Sequence, residues 1–111
     1  MKYMFLLFNE ESPEPPAPES MQEWQTFGEI AAKVDQGMSG EALQPSATAT
    51  VVSVRDGKTI MTDGPFADTK EQLGGFYVND CPNHDIAVEL ATKIPWAPTG
   101  HIEVRPVMRF D

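Results

Sequence analysis

Short apolar blocks recur along this chain, separated by glycine, proline and aspartate. Residues 2–8 are apolar on both faces of an extended strand: Tyr3, Phe5 and Leu7 point one way, Met4, Leu6 and Phe8 the other. A strand apolar on both faces is covered on both. One helical layer covers one face, so the other calls for a second copy of the chain. Residues 9–19 carry Pro13, Pro15, Pro16 and Pro18 and predict an extended surface loop, because proline lacks the donor that helices and central strands need. Ser20-Met21-Gln22-Glu23 reads as a capping box. It opens a helix whose Trp24, Phe27, Ala31, Val34 and Met38 recur at spacings of three and four, with Gly37 placed as a left-handed stop.

Residues 40–43 predict a short strand ended by Pro45. Two β-branched runs, 48–54 and 58–62, then flank Asp56-Gly57. That dipeptide favours a type I′ hairpin turn, which sets Val54 opposite Thr59 and Thr50 opposite Asp63. Residues 74–80 form the next strand. Asn83 caps a second helix running to about Lys93, with Ile86, Leu90 and Ile94 as its stripe and Pro95 as its stop. Residues 101–107 form the last strand, with Ile102 and Val104 on one face and His101, Glu103 and Arg105 on the other. The order β-α-β-(β-hairpin insertion)-β-α-β predicts an α+β fold, a ferredoxin-like sandwich with both helices on one face of an antiparallel sheet.

Residues 63–76, between two of these strands, hold more polar chemistry than a connection needs: Asp63, Asp68, Thr69, Lys70, Glu71 and three glycines. Asp63-Gly64-Pro65-Phe66, with Thr69-Lys70-Glu71 and Gly74-Gly75-Phe76-Tyr77, resembles the signature of the DGPF proteins of the YCII-related family. The opening Met1-Lys2-Tyr3-Met4, the segment Gly40-Glu41-Ala42-Leu43-Gln44-Pro45 and the closing Ile102-Glu103-Val104-Arg105-Pro106-Val107 fit it too. The resemblance implies a ferredoxin-like fold pairing as a dimeric α/β barrel. It also implies an association with extracytoplasmic-function sigma factors for some members. Members with a His on the first helix and an Asp before the last strand are thought to use that pair. Here the first helix has no His and Lys93-Ile94-Pro95-Trp96 has no Asp, so that chemistry does not carry over.

Two readings attach to each candidate residue. Asp63 either fixes a turn through backbone N–H groups or serves as a general base at a cleft rim, with Phe66 packing on the sheet in both cases. Lys70 either binds an anionic substrate or pairs with Asp68 at the surface, and Thr69 and Glu71 share a face opposite it. His101, Glu103 and Arg105 share one strand face. There Glu103 and Arg105 neutralise each other under a partner subunit, or Arg105 holds a carboxylate while Glu103 or His101 moves protons.

The chain has 111 residues, 41% of them apolar, which suits a single globular domain, 1–111. Net charge is −9, from 17 acids against 8 bases, which opposes binding to nucleic acid or anionic membrane. Cys81 is the single cysteine and excludes an internal disulfide. No apolar run reaches the ~18 residues of a membrane span, and no secretory signal is present, so the cytoplasm is expected. No cofactor or metal motif appears. The sequence thus predicts a homodimer built through its sheet that binds a small polar or anionic molecule near Asp63 and the last strand, with acid–base chemistry as one use. The other reading is a non-catalytic accessory module for a protein partner such as a sigma factor.

Overall fold

Strand β1 (Lys2–Glu10) lies between β5 (Glu71–Asp80) and β6 (His101–Pro106), antiparallel to both. A computed structural model describes residues 1–12, 14 and 17–110, and the expectations for Pro13, Pro15 and Pro16 fall outside them. Strand β2 (Ser39–Ala42) adds to the far side of β5, giving a four-stranded sheet ordered β2-β5-β1-β6. Helices α1 (Pro18–Val34) and α2 (His84–Ala91) pack on one face of it. The fold is α+β with antiparallel sheets and two helices, consistent with a ferredoxin-like arrangement.

The alternation in β1 divides the sheet as expected. Tyr3, Phe5 and Leu7 are buried with Phe27 and Ala31 of α1, Ala87, Leu90 and Ala91 of α2, and Ile94. On the opposite face, Met4, Leu6 and Phe8 remain only half-buried in the single chain. Register places Phe76 beside Leu6, Val78 beside Met4 and Leu73 beside Phe8, so an apolar band crosses this open face. The β1–β5 ladder shifts between Leu7 and Phe8, which leaves Gly74 without a partner. That bulge returns both Leu73 and Glu71 to the open face.

Strands β3 (Thr50–Arg55) and β4 (Lys58–Asp63) pair with each other in a separate two-stranded sheet. Asp56 and Gly57 both have positive φ, 52° and 74°, and Val54 meets Thr59 while Thr50 meets Asp63, as a type I′ turn requires. This ribbon projects as an arm. The radius of gyration is 16.1 Å, against roughly 13 Å for a compact chain of this length. Val52, Val54, Ile60 and Met61 on the arm are all exposed.

The helix ends differ from expectation. Helix α1 starts at Pro18, two residues before the expected capping box, and its N-cap Ala17 makes no side-chain cap bond. Ser20 instead donates its backbone N–H to the Ala17 carbonyl, inside the first turn. Proline there has its φ already set and loses no hydrogen bond, because first-turn N–H groups are unpaired anyway. The helix stops at Val34, and Gly37 does not adopt the left-handed conformation. Asp35 does the work: its carboxylate accepts the N–H of Gly37 at 2.9 Å and that of Asp80 at 2.8 Å, tying the helix end to β5. Asn83 caps α2 as expected, accepting from Ile86 N–H at 2.9 Å, but the helix ends at Ala91 rather than Lys93 and turns fill the span to β6. Strand β5 also starts earlier than expected, so Glu71 to Phe76 belong to the sheet and not to a connection.

Candidate functional site

Glu71 and His101 meet on the open face. His101 opens β6, opposite Phe8, and Glu71 opens β5, opposite Glu10, so the two flank β1 at one end of the sheet. His101 Nδ1 lies 2.8 Å from Glu71 Oε1. An ionised carboxylate can only accept, so this contact puts a proton on Nδ1, and in the neutral ring the lone pair then sits on Nε2. The Lys70 ammonium stands at the same end, 3.4 Å from Glu10 Oε1, in place of the expected pairing with Asp68. Thr69 is committed to backbone: its hydroxyl donates to the Glu71 carbonyl at 2.6 Å. Gln72 Nε2 donates to the carbonyls of Ala67 and Thr69 at 2.9 and 3.0 Å, which folds the 67–72 segment onto the strand start.

The remaining candidates lie elsewhere. Asp63 ends β4 on the arm, exposed, with no side-chain hydrogen bond among the described residues; the turn after it is held by Gly64 N–H to the Ala49 carbonyl at 2.8 Å. Phe66 is 92% exposed and so does not pack on the sheet as expected. Glu103 and Arg105 project from the open face beside Leu6 and Met4. Both are exposed, and no ion pair joins them among the described residues. Arg105 is four residues from His101, about 13 Å along the strand.

A second feature lies on the helix side of the sheet. Leu7, Trp24, Tyr77 and Trp96, with the backbone of Gly40, Gly74 and Gly75, line a cavity of about 320 Å³. Trp24 meets Trp96 edge-on, with ring centres 6.0 Å apart, and Tyr77 at 6.4 Å. Burial pushes the Tyr77 phenol pKa up. The helical spacing that placed Trp24 on the apolar stripe carried no sign of Trp96, which comes 72 positions later in a turn segment. Elsewhere, Cys81 is buried with its thiol pKa raised by desolvation, and its Sγ lies 3.3 Å from Asn79 Oδ1. No group of three or more His, Cys, Asp or Glu residues is arranged to hold a metal ion among the described residues. No helix there is long and apolar enough to cross a membrane.

The family model for the YCII-related domain matches residues 1–111. This chain belongs to the YCII-related family. A relative from Rhizobium meliloti (strain 1021), itself an uncharacterized protein, is 44% identical over 70 residues, spanning 61% of this chain and 56% of the relative. The match thus spans little more than half of that relative's length. Within this YCII-related chain the one histidine–carboxylate contact is Glu71–His101, among the described residues. It is built from the starts of β5 and β6 and uses neither the first helix nor the segment before the last strand.

Proposed function

We propose that this protein takes up a small polar or anionic molecule at the Glu71–His101 end of its open sheet face and moves a proton there. The 2.8 Å contact between the two side chains carries the reading. A carboxylate on Nδ1 orients the ring, favours the tautomer with a free Nε2, and stabilises the imidazolium that forms when Nε2 takes a proton. Lys70, paired with Glu10 at the same end of the sheet, supplies a cation suited to a substrate carboxylate or phosphate. The Glu71–His101 pair acts as the base, and Glu103 and Arg105 extend the polar face toward a second contact.

The working form in this reading is a cytoplasmic homodimer joined through the sheet, a dimeric α/β barrel with the β3–β4 arm as an insertion in a ferredoxin-like frame. The half-buried band of Met4, Leu6, Phe8, Phe76 and Val78 supports it, as does an arm whose strand β4 is exposed along its whole length, since an isolated two-stranded ribbon is marginal in water. Within one chain Arg105 is too far from His101 to share a small ligand. A second copy laid antiparallel on the face brings those ends together. A thermal-shift panel of small carboxylates and phosphate esters tests the site, since a ligand of the native state raises apparent stability. Wild-type protein should respond to at least one class, and Glu71→Gln and His101→Gln should lose the response while keeping the unliganded midpoint. A response unchanged in both variants removes the pair from the site.

A second reading rests on the arm. Val52, Met61 and Phe66, 59%, 67% and 92% exposed, suit a protein partner such as a sigma factor. The two are separated by hydrogen exchange on the purified protein: arm protection that rises with protein concentration means that a second copy covers the arm, and protection independent of concentration favours a different partner.

A further inference from the structure

The cavity on the helix side of the sheet has the features of a second binding site, separate from the Glu71–His101 face. Two of its walls are held by glycine. A Cβ on Gly74 would sit 2.4 Å from Trp96 Cη2, and one on Gly40 would sit 2.5 Å from Tyr77 Cδ1. Each ring therefore fills the space where a side chain would stand, and the sheet backbone fixes its position. Phe27, 2% exposed, backs Tyr77 with ring centres 5.2 Å apart. The cavity is thus formed before any ligand arrives, and its volume lies at the small end of ligand pockets, the size for one or two fused rings.

The polar groups on these walls narrow the chemistry. Trp24 Nε1 and Trp96 Nε1 can only donate, and neither has a hydrogen-bond partner among the described residues. The Tyr77 hydroxyl also lacks one, and all three rings are half-buried rather than sealed. Raised by burial, the Tyr77 phenol stays protonated at neutral pH and donates as well. Glu41, the one acid on the lining, stands opposite Phe76 in the ladder, which directs its carboxylate to the other face of the sheet. Donors among aromatic walls suit a guest with hydrogen-bond acceptors, and the lining carries no Lys or Arg to hold an anionic one.

We propose that the Trp24–Tyr77–Trp96 cavity binds an uncharged, planar aromatic molecule that carries carbonyl or ring-oxygen acceptors. Stacking on the rings supplies the apolar contact, and the acceptors satisfy the indole and phenol donors.

Trp24 and Trp96 are the two tryptophans of the chain, so the two indole N–H signals of a ¹⁵N-labelled sample report on the cavity directly. Coumarin serves as the probe, with naphthalene as the ring system without acceptors and N-methylquinolinium as the cationic one. Coumarin should shift both indole signals saturably, and naphthalene should bind at least threefold more weakly. Tyr77→Phe, which keeps the ring and removes the hydroxyl, should weaken coumarin binding by roughly three- to tenfold, the value of one hydrogen bond. Gly74→Ala should displace Trp96 and abolish the saturable shift, while Gly28→Ala, at a position with nothing within 4 Å of the added methyl, should leave it intact. The proposal is overturned by indole signals that do not move, by naphthalene or N-methylquinolinium binding as tightly as coumarin, or by full affinity in folded Tyr77→Phe protein.

Discussion

Trp96 occupies the space that a side chain at position 74 would fill: a Cβ there would approach Trp96 Cη2 to 2.4 Å and Cζ3 to 2.6 Å. The bulge at Leu7/Phe8 sets Gly74 in this place, and the turns after α2 bring Trp96 over it. Added volume at a packed contact forces rings off their rotamers at a cost of about 1–3 kcal/mol. Gly74→Ala should therefore lower stability by that amount. Gly28→Ala, within α1, should raise it by about 0.5–1 kcal/mol, because alanine is the better helix former and its methyl meets nothing. Urea midpoints that move in the same direction for both substitutions contradict the contact.

The arm gives a local prediction. Gly57 sits at φ 74° in the β3–β4 turn, a conformation that costs a β-branched residue about 1–2 kcal/mol. Among the described residues the arm's strands pair only with each other, so Gly57→Val should speed hydrogen exchange of the arm amides. Amides of β1 and β5 should exchange as before. Uniform acceleration across both sheets would mean that arm and body unfold as one unit.

Glu11 links the start of the chain to the 3-10 turn Ser46–Thr48. Its carboxylate accepts from the Ser46 hydroxyl and from the Ser46 N–H at 2.6 Å, and these bonds hold its pKa below the ordinary glutamate range. A carboxylate depressed in the folded state adds stability above its unfolded value, about pH 4.3. That stability fades as pH falls through the lower folded value. Wild-type protein should thus melt above Ser46→Ala at pH 7, and the gap should close as the pH is lowered below about 4. A gap that stays constant with pH removes the carboxylate from the account.

Cys81 is 1% exposed, and desolvation, with Asp80 nearby, raises its thiol pKa. Only a thiolate attacks a disulfide reagent, so the folded protein should react slowly. Reaction with Ellman's reagent should follow the opening of the core and accelerate with urea as unfolding does. Rapid labelling of native protein in buffer alone would show the thiol to be accessible.

Much of this architecture was legible because it rests on neighbouring residues. Asp56-Gly57 dictates its turn through the φ values that only certain residues adopt, so the β3–β4 register could be read two residues at a time. The alternation of β1 divided the buried Tyr3, Phe5 and Leu7 from the half-covered Met4, Leu6 and Phe8, and the spacing of Phe27 and Ala31 placed α1 on the core. Asn83 revealed the start of α2 for the same reason, since a cap bond spans three residues.

The candidate sites depended on more distant partners. Glu71 and His101 are 30 positions apart, and they meet only because β1 pairs with both β5 and β6 and a one-residue bulge returns Glu71 to the open face. The bulge falls at Gly74, and without it every side chain beyond it would change face. Trp24, Tyr77 and Trp96 come from a helix, a strand and a turn, and their cavity exists because glycines at 40 and 74 let rings rest on the sheet. Sequence determined the elements and their faces, because backbone preference and side-chain period belong to contiguous residues. Tertiary structure alone decided which polar and aromatic groups came together, because that depends on strand register and on how the layers close.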